Sequence, residues 1–371
     1  MMTVQQPGER TYPTAITELV RELGRLPAAE RMRFERLFHV TEAVGVLVAP
    51  ESMHRWIENF FGSVAVVEQQ KIVKTTNLVT LEGTLFNALR AARPMEMAPP
   101  EALEEIINSS RGDPFCRPEE GTPEDLFGRV RGRYALTSSN IAKYDAYHGV
   151  VIYHEHNPLT FTREQIADYL AVGLRWGYKA LEADPEARYY FFMWNCLWKS
   201  GASILHGHAQ IACTRGLHYA KVEHLRRAAL QYREQYGSNF FEDLFAAHTA
   251  VGLGVEARGV RLLASLTPIK EKEVWLISDA VDDLLADGLY RVLDCYVHQL
   301  GVHSFNVVLY VPPLAPAPED WSGFPVIARL VDRGPLQNKT ADFGAMELYA
   351  SSVVASDPFR LMSYLRPAFA A

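Results

Sequence analysis

The sequence predicts an α+β protein, with a helical N-terminal extension followed by a strand–helix–strand–strand unit that occurs twice, its antiparallel sheets covered by packed helices. Three observations predict it. From Thr14 to about Phe61, stretches such as ITELVRELGRL and ERMRFERLFHVTEAVGVL place apolar residues three and four apart with mixed charge between them, the period of an amphipathic helix. From Val64 to Leu89 β-branched residues take over around a glycine break, which favours short strands. The third observation is an order of elements met first over residues 147–214 and again, more faintly, toward the C-terminus.

The elements follow in turn. Residues 94–125 are rich in proline and read as loops around one short helix. YHGVVIYHEH is a strand, and the helix after it opens with Thr162 and Gln165 in capping-box spacing. RYYFFMWNCLW and ASILHGHAQIACT are then two strands joined by Lys199-Ser-Gly201. The later set is the strand-like RLLASLTPIKEKEVWLIS, the helical ADGLYRVLDCYVHQLG, and the strands SFNVVLYVPP and FPVIARLVD. This divides the chain into an extension (1–66), a first α+β domain (67–215) and a second, degenerate one (216–371).

At 371 residues, 48% hydrophobic and 22% charged, the chain has the composition of a folded domain pair. Its formal net charge of −7 gives no basic field for a polyanion, so nucleic acid is not the expected partner. No apolar run reaches the roughly 18 residues of a membrane helix, and the expectation is a protein with no membrane partner. The scattered cysteines Cys116, Cys196, Cys213 and Cys295, with no apolar leader at the start, suggest a reducing, cytoplasmic setting.

Chemistry concentrates in Ser203-Ile-Leu-His-Gly-His-Ala-Gln-Ile-Ala212. On a strand, alternate residues share a face, so His206, His208 and Gln210 would line one side while Gly207 and Ala209 let another layer approach from behind. Two imidazoles on one face can bind a metal, relay protons or supply a nucleophile. The upstream Lys199-Ser-Gly-Ala-Ser203 offers hydroxyls and a glycine turn suited to holding a phosphate. Gln210 is a neutral donor that suits a phosphoryl oxygen better than a metal. Asn195, set in an apolar strand, is costly there unless its amide is satisfied.

His206-Gly-His208-Ala-Gln210-Ile-Ala resembles the His-φ-His-φ-Gln-φ-φ signature of the histidine-triad (HIT) superfamily, in the glutamine form of its galactose-1-phosphate uridylyltransferase-like branch. Further segments follow in matching order: Leu89-Arg90-Ala-Ala-Arg93-Pro94, Asp113-Pro-Phe-Cys116, Ser139-Asn140-Ile-Ala, His156-Asn-Pro-Leu-Thr, Trp194-Asn195 and Ser200-Gly201-Ala-Ser203. Residues 1–66 lie outside the resemblance.

What the resemblance implies is a duplicated HIT-like fold and a nucleotidyltransferase. Such an enzyme moves a nucleoside monophosphate between a nucleotide sugar and a sugar 1-phosphate through a covalent nucleotidyl-His208. Gln210 and Ser203 would hold phosphoryl oxygens. Arg90, Arg93, Asn140, Asn195 and Gly201 would contact the nucleotide and its phosphates. Glu347, in Asp342-Phe-Gly-Ala-Met346-Glu347, stands where relatives keep a sugar-reading glutamate, although a methionine replaces their tyrosine. The resemblance also implies a structural zinc held by Asp113, Cys116, His156 and His206, and a homodimer. The second copy has Ala328-Arg-Leu330 in place of the paired histidines, so one copy alone carries the chemistry. Two other readings stand beside this one: a phosphorylase or adenylyltransferase acting on nucleotide sugars or dinucleoside polyphosphates, and a nucleotide-binding regulatory protein without catalysis.

Overall fold

A computed structural model describes residues 12–92, 102–338 and 343–370. Its strands are β1 (Phe38–Val46), β2 (Gln69–Asn77), β3 (Gly83–Phe86), β4 (Ala135–Ser139), β5 (Tyr147–Tyr153), β6 (Tyr189–Cys196), β7 (His208–Thr214), β8 (Gly254–Ala257), β9 (Val260–Ala264), β10 (Glu271–Ser278), β11 (Phe305–Tyr310), β12 (Val326–Asp332) and β13 (Ser352–Val354). Nine of them form one sheet in the order β4-β5-β7-β6-β11-β12-β10-β9-β8. The order β4-β5-β7-β6 on one side is repeated as β9-β10-β12-β11 on the other, as expected of a duplicated unit. The copies are not separate sheets, because β6 and β11 pair antiparallel from Phe305↔Cys196 to Tyr310↔Phe191 and make one core continuous through both.

Each copy keeps its helix. Arg163–Ala183 opens with the predicted capping box, in which Gln165 N–H donates to Thr162 Oγ1 at 3.2 Å and Thr162 N–H donates to Gln165 Oε1 at 2.7 Å. It packs through Gly173 onto Tyr190, Phe192 and Ile211. Alternation therefore turns Met193, Asn195 and Gln210 to the opposite face, where they are only half-buried. The equivalent helix, Asp283–Asp294, packs against β9 and β10.

The extension departs from the sequence reading. Helices form at Leu19–Leu23, Ala28–Leu37 and Glu51–Phe61, but Phe38–Val46 between them is a strand paired with β2 along its whole length. Val40, Val44, Val46 and Val48 satisfy a spacing of four and a spacing of two together, and β-branched side chains favour the strand. Conversely, Val64–Glu68, read as strand, closes a short helix. The strands β1-β2-β3-β13 make a second, smaller sheet in which β13 runs parallel to β3. Ile16, Leu19, Phe34, Leu37 and Phe38 join the main core, so most of the extension is built into the body. It leaves Val44, Val46 and Val48 on the surface, as it does Trp56 and Phe60 of the following helix.

Candidate active site

Strand β7 begins at His208 and not at Ala202. His206 thus lies in the bend before the strand, and the predicted row of three same-face polar residues shortens to His208 and Gln210. Gly207 is fixed by close approach, since a Cβ there would stand 2.8 Å from the Tyr153 ring and 3.0 Å from the Glu155 carbonyl. Its N–H donates to His156 O and its carbonyl accepts from Tyr153 N–H, both at 3.0 Å. The bend is thereby stitched to the segment carrying His156.

His208 is 6% exposed, and its Nδ1–H donates to the His206 carbonyl at 2.8 Å. That bond places the proton on Nδ1 and leaves the lone pair on Nε2. Burial pushes its pKa below the ordinary histidine value. The edge of Phe115 meets the ring at 5.1 Å between centroids. A neutral, fixed imidazole with one free nitrogen is a nucleophile in waiting.

Beside it, His206 turns toward a different task. His206 Nδ1 faces His156 Nδ1 at 3.0 Å, and Cys116 Sγ lies 3.5 Å from each. Both rings donate from Nε2 to backbone carbonyls, His206 to Tyr153 at 2.8 Å and His156 to Ile107 at 2.9 Å, so two nitrogen lone pairs confront each other. Asp113 completes the group. Its Oδ1 accepts from Phe115 and Cys116 N–H, while Oδ2 is buried with no partner among the described residues. All four ligand atoms lie within 4.8 Å of one another. A zinc tetrahedron built on its usual N and S bond lengths has edges of about 3.4 Å (N–N) and about 3.6 Å (N–S). The donor set, the orphaned Oδ2 and the paired second-nitrogen bonds all fit that ion.

The segment 197–203, expected from the sequence to hold a phosphate, follows β6. Leu197 is buried at φ +63°, ψ 175°, a region nearly confined to glycine, and Gly201 turns the chain at φ +101°. Such strain costs on the order of 1–3 kcal/mol and is found where surrounding packing enforces it. Ser203 is exposed. Asn195 has the partner its burial demands, since its Oδ1 accepts from Asn306 Nδ2 at 2.6 Å. Asn306 also donates to Ser200 O at 3.0 Å and accepts from Arg333 at 2.6 Å. Asn306 belongs to the second copy and was missed by sequence reasoning; the signal that singled out Asn195, an amide in an apolar strand, is present in SFNVVLYV as well. On the other side, Asn140 Oδ1 accepts from Ala142 N–H at 3.0 Å, and its Nδ2 lies 3.2 Å from His148.

Other predicted residues lie elsewhere. Arg90 is exposed and lines a cleft of about 670 Å³ with Glu347, Lys270, Lys272 and Arg333. Glu347 accepts from Gly344 N–H at 2.9 Å at the start of the helix Ala345–Tyr349. His208 is not among that cleft's walls. Arg93 falls outside the described residues. In the second copy, Arg329 stacks 4.3 Å over Trp275, donates to Glu273 at 2.7 Å and to Glu82 at 3.0 Å, and occupies the centre with a buried ion network in place of a nucleophile.

No family model and no curated protein matches this sequence. Solved structures do match. An ADP-glucose phosphorylase from Arabidopsis thaliana, crystallised with ADP-glucose, aligns over 78% of this chain and 97% of its own at 18% identity and a TM-score of 0.60. A uridylyltransferase aligns over 67% and 88% at 17% identity, TM-score 0.54. A GalT-like protein from Arabidopsis thaliana aligns over 69% and 92% at 19% identity, TM-score 0.54. The chain shares the α+β fold of these proteins.

Proposed function

We propose that the protein is a nucleotidyltransferase that works through a covalent nucleotidyl-His208 intermediate, taking a nucleoside monophosphate from a nucleotide sugar and passing it to a sugar 1-phosphate. The observation that carries this reading is the His208 ring itself, neutral, buried, fixed through Nδ1 and open at Nε2. Nε2 attacks the α-phosphorus, the P–O bond to the sugar phosphate breaks, and its electron pair leaves on that oxygen. The acceptor's phosphate oxygen then attacks the same phosphorus and the P–N bond breaks, restoring His208. Gln210 and the 200–203 segment supply donors to the phosphoryl oxygens as charge shifts onto them. A non-catalytic nucleotide binder has no need of a free, desolvated imidazole beside the phosphorus.

In this reading Asp113, Cys116, His156 and His206 hold a structural zinc. Bound there, zinc would supply no chemistry to the transfer and would serve to fix His206, whose carbonyl holds His208. A homodimer is part of the proposal too. His208 is not among the walls of the Arg90–Glu347 cleft, which meets the 200–203 segment through Arg333. Beside Arg90, Leu89 packs on the small cluster that contains Ile57 of the helix Glu51–Phe61, whose Trp56 and Phe60 are exposed, an apolar surface of the kind that marks an interface. A second copy seated there would bring the cleft to its partner's nucleophile.

A double displacement has a signature that separates it from direct transfer. With UDP-glucose or ADP-glucose as sole nucleotide, labelled glucose 1-phosphate should exchange into the nucleotide sugar with no second nucleotide present. Exchange driven by inorganic phosphate in place of the sugar phosphate would move the reading to a phosphorylase. No exchange with either would sink the covalent route.

A further inference from the structure

Gln210 is held from behind by two side chains that the sequence reading passed over. Its Oε1 lies 2.9 Å from His148 Nε2 and 3.2 Å from the Tyr144 hydroxyl, whose single proton has Met193 Sδ at 3.1 Å as its other acceptor, a weaker one than an amide oxygen. His148 sits on β5, next to β7 in the sheet, and Tyr144 comes from the loop before it, its ring 3.7 Å from the imidazole between centroids. The proton on His148 is assigned by its surroundings: Nδ1 accepts from Tyr144 N–H at 3.4 Å, which leaves Nε2 as the donor. Burial holds this ring below the ordinary histidine pKa, and Lys143 opposes Asp125 and Asp145 around it.

The consequence falls on the orientation of an amide. A glutamine whose oxygen already accepts two hydrogen bonds can only present its NH₂ elsewhere, and Gln210 sits two residues along the strand from His208. We infer that His148 and Tyr144 are positioning residues that lock the Gln210 oxygen inward, so that its amide hydrogens meet the phosphoryl group His208 attacks. This rests on the reading given under Proposed function. With the lock removed, the amide is free to rotate and half of its orientations set an acceptor against an anion. That loss is felt most in the transition state, where the phosphoryl charge is being redistributed.

The test is the single-turnover rate at which His208 becomes labelled by UDP-glucose or ADP-glucose, followed by intact mass, with donor affinity measured separately in the His208→Ala background. His148→Phe keeps the ring against Tyr144 and removes the donor; it should slow labelling on the order of 10- to 100-fold while donor affinity moves less than about threefold. His148→Gln, which restores an N–H, should recover most of the rate. Combined with Gln210→Ala, His148→Phe should slow labelling no further, because both act through one amide. Labelling of His148→Phe at the wild-type rate, or full additivity with Gln210→Ala, overturns the inference while leaving the covalent reading intact. A wild-type protein that is never labelled removes both. If His148→Phe fails to fold, Tyr144→Phe deletes a single hydroxyl on the surface side and should slow labelling about 3- to 10-fold, and an unchanged rate there overturns the inference as well.

Discussion

His206 and His208 are two residues apart and are given opposite jobs by which nitrogen each spends on a carbonyl. His208 donates from Nδ1 to the His206 carbonyl and keeps Nε2 for chemistry; His206 donates from Nε2 to Tyr153 and turns Nδ1 toward His156 and Cys116. Alternation on a strand predicts that the two residues share a face, and it cannot predict the tautomers. Cys116→Ala tests the division of labour. With one of four ligands gone, metal content measured by atomic emission should fall from about one zinc per chain to well below half. The thermal midpoint should fall with it, because binding energy at a closed site is folding energy. Unchanged stability and no zinc in the wild-type protein would mean that the four residues are held by packing alone.

Among the elements, the strand pair β10–β12 shows what a degenerate copy does with its centre. Arg329 is buried with Glu273, which is 1% exposed, and reaches Glu82 in the loop before β3, tying β12 to the small sheet's connection. Arg329→Met strands a carboxylate in the core and should cost about 3–5 kcal/mol in denaturant unfolding, whereas Arg329→Met with Glu273→Met together should cost much less. Equal losses would show that the ion network contributes nothing beyond its packing. The loss of chemistry in this copy was legible as Ala328-Arg-Leu330 against His-Gly-His, but the two acidic partners lie 56 and 247 residues away from Arg329, a distance that no local pattern spans. For the same reason the capped helix and the β5–β7 strands were readable from their period and caps, while β1 was not. Its valines fit two periods, and the partner that decided between them is a strand thirty-one residues downstream.

At the scale of the molecule, the candidate site is divided. His208, Gln210, Asn140 and Asn195 gather in the first copy, and the second copy contributes Asn306 and Arg333 to the segment that holds Ser200. The duplication is therefore used twice over, once to extend the sheet and once to buttress the 200–203 segment. Arg90 and Glu347, which the resemblance places with His208, line one cleft whose walls do not include His208; in the proposed homodimer that cleft would meet the partner's nucleophile. Mixing His208→Ala protein with Glu347→Ala protein tests the shared site: heterodimers should regain about a quarter to a half of wild-type activity, since one of their two sites is intact. No recovery on mixing, with dimers demonstrably exchanged, would place Glu347 outside the site. The most direct test of the whole account is the mass of the intact protein after brief mixing with UDP-glucose and with ADP-glucose. The account predicts an acid-labile addition of one nucleoside monophosphate, absent in His208→Ala although that variant still binds nucleotide; an unmodified mass alongside measurable turnover, or an adduct that survives in His208→Ala, would contradict it.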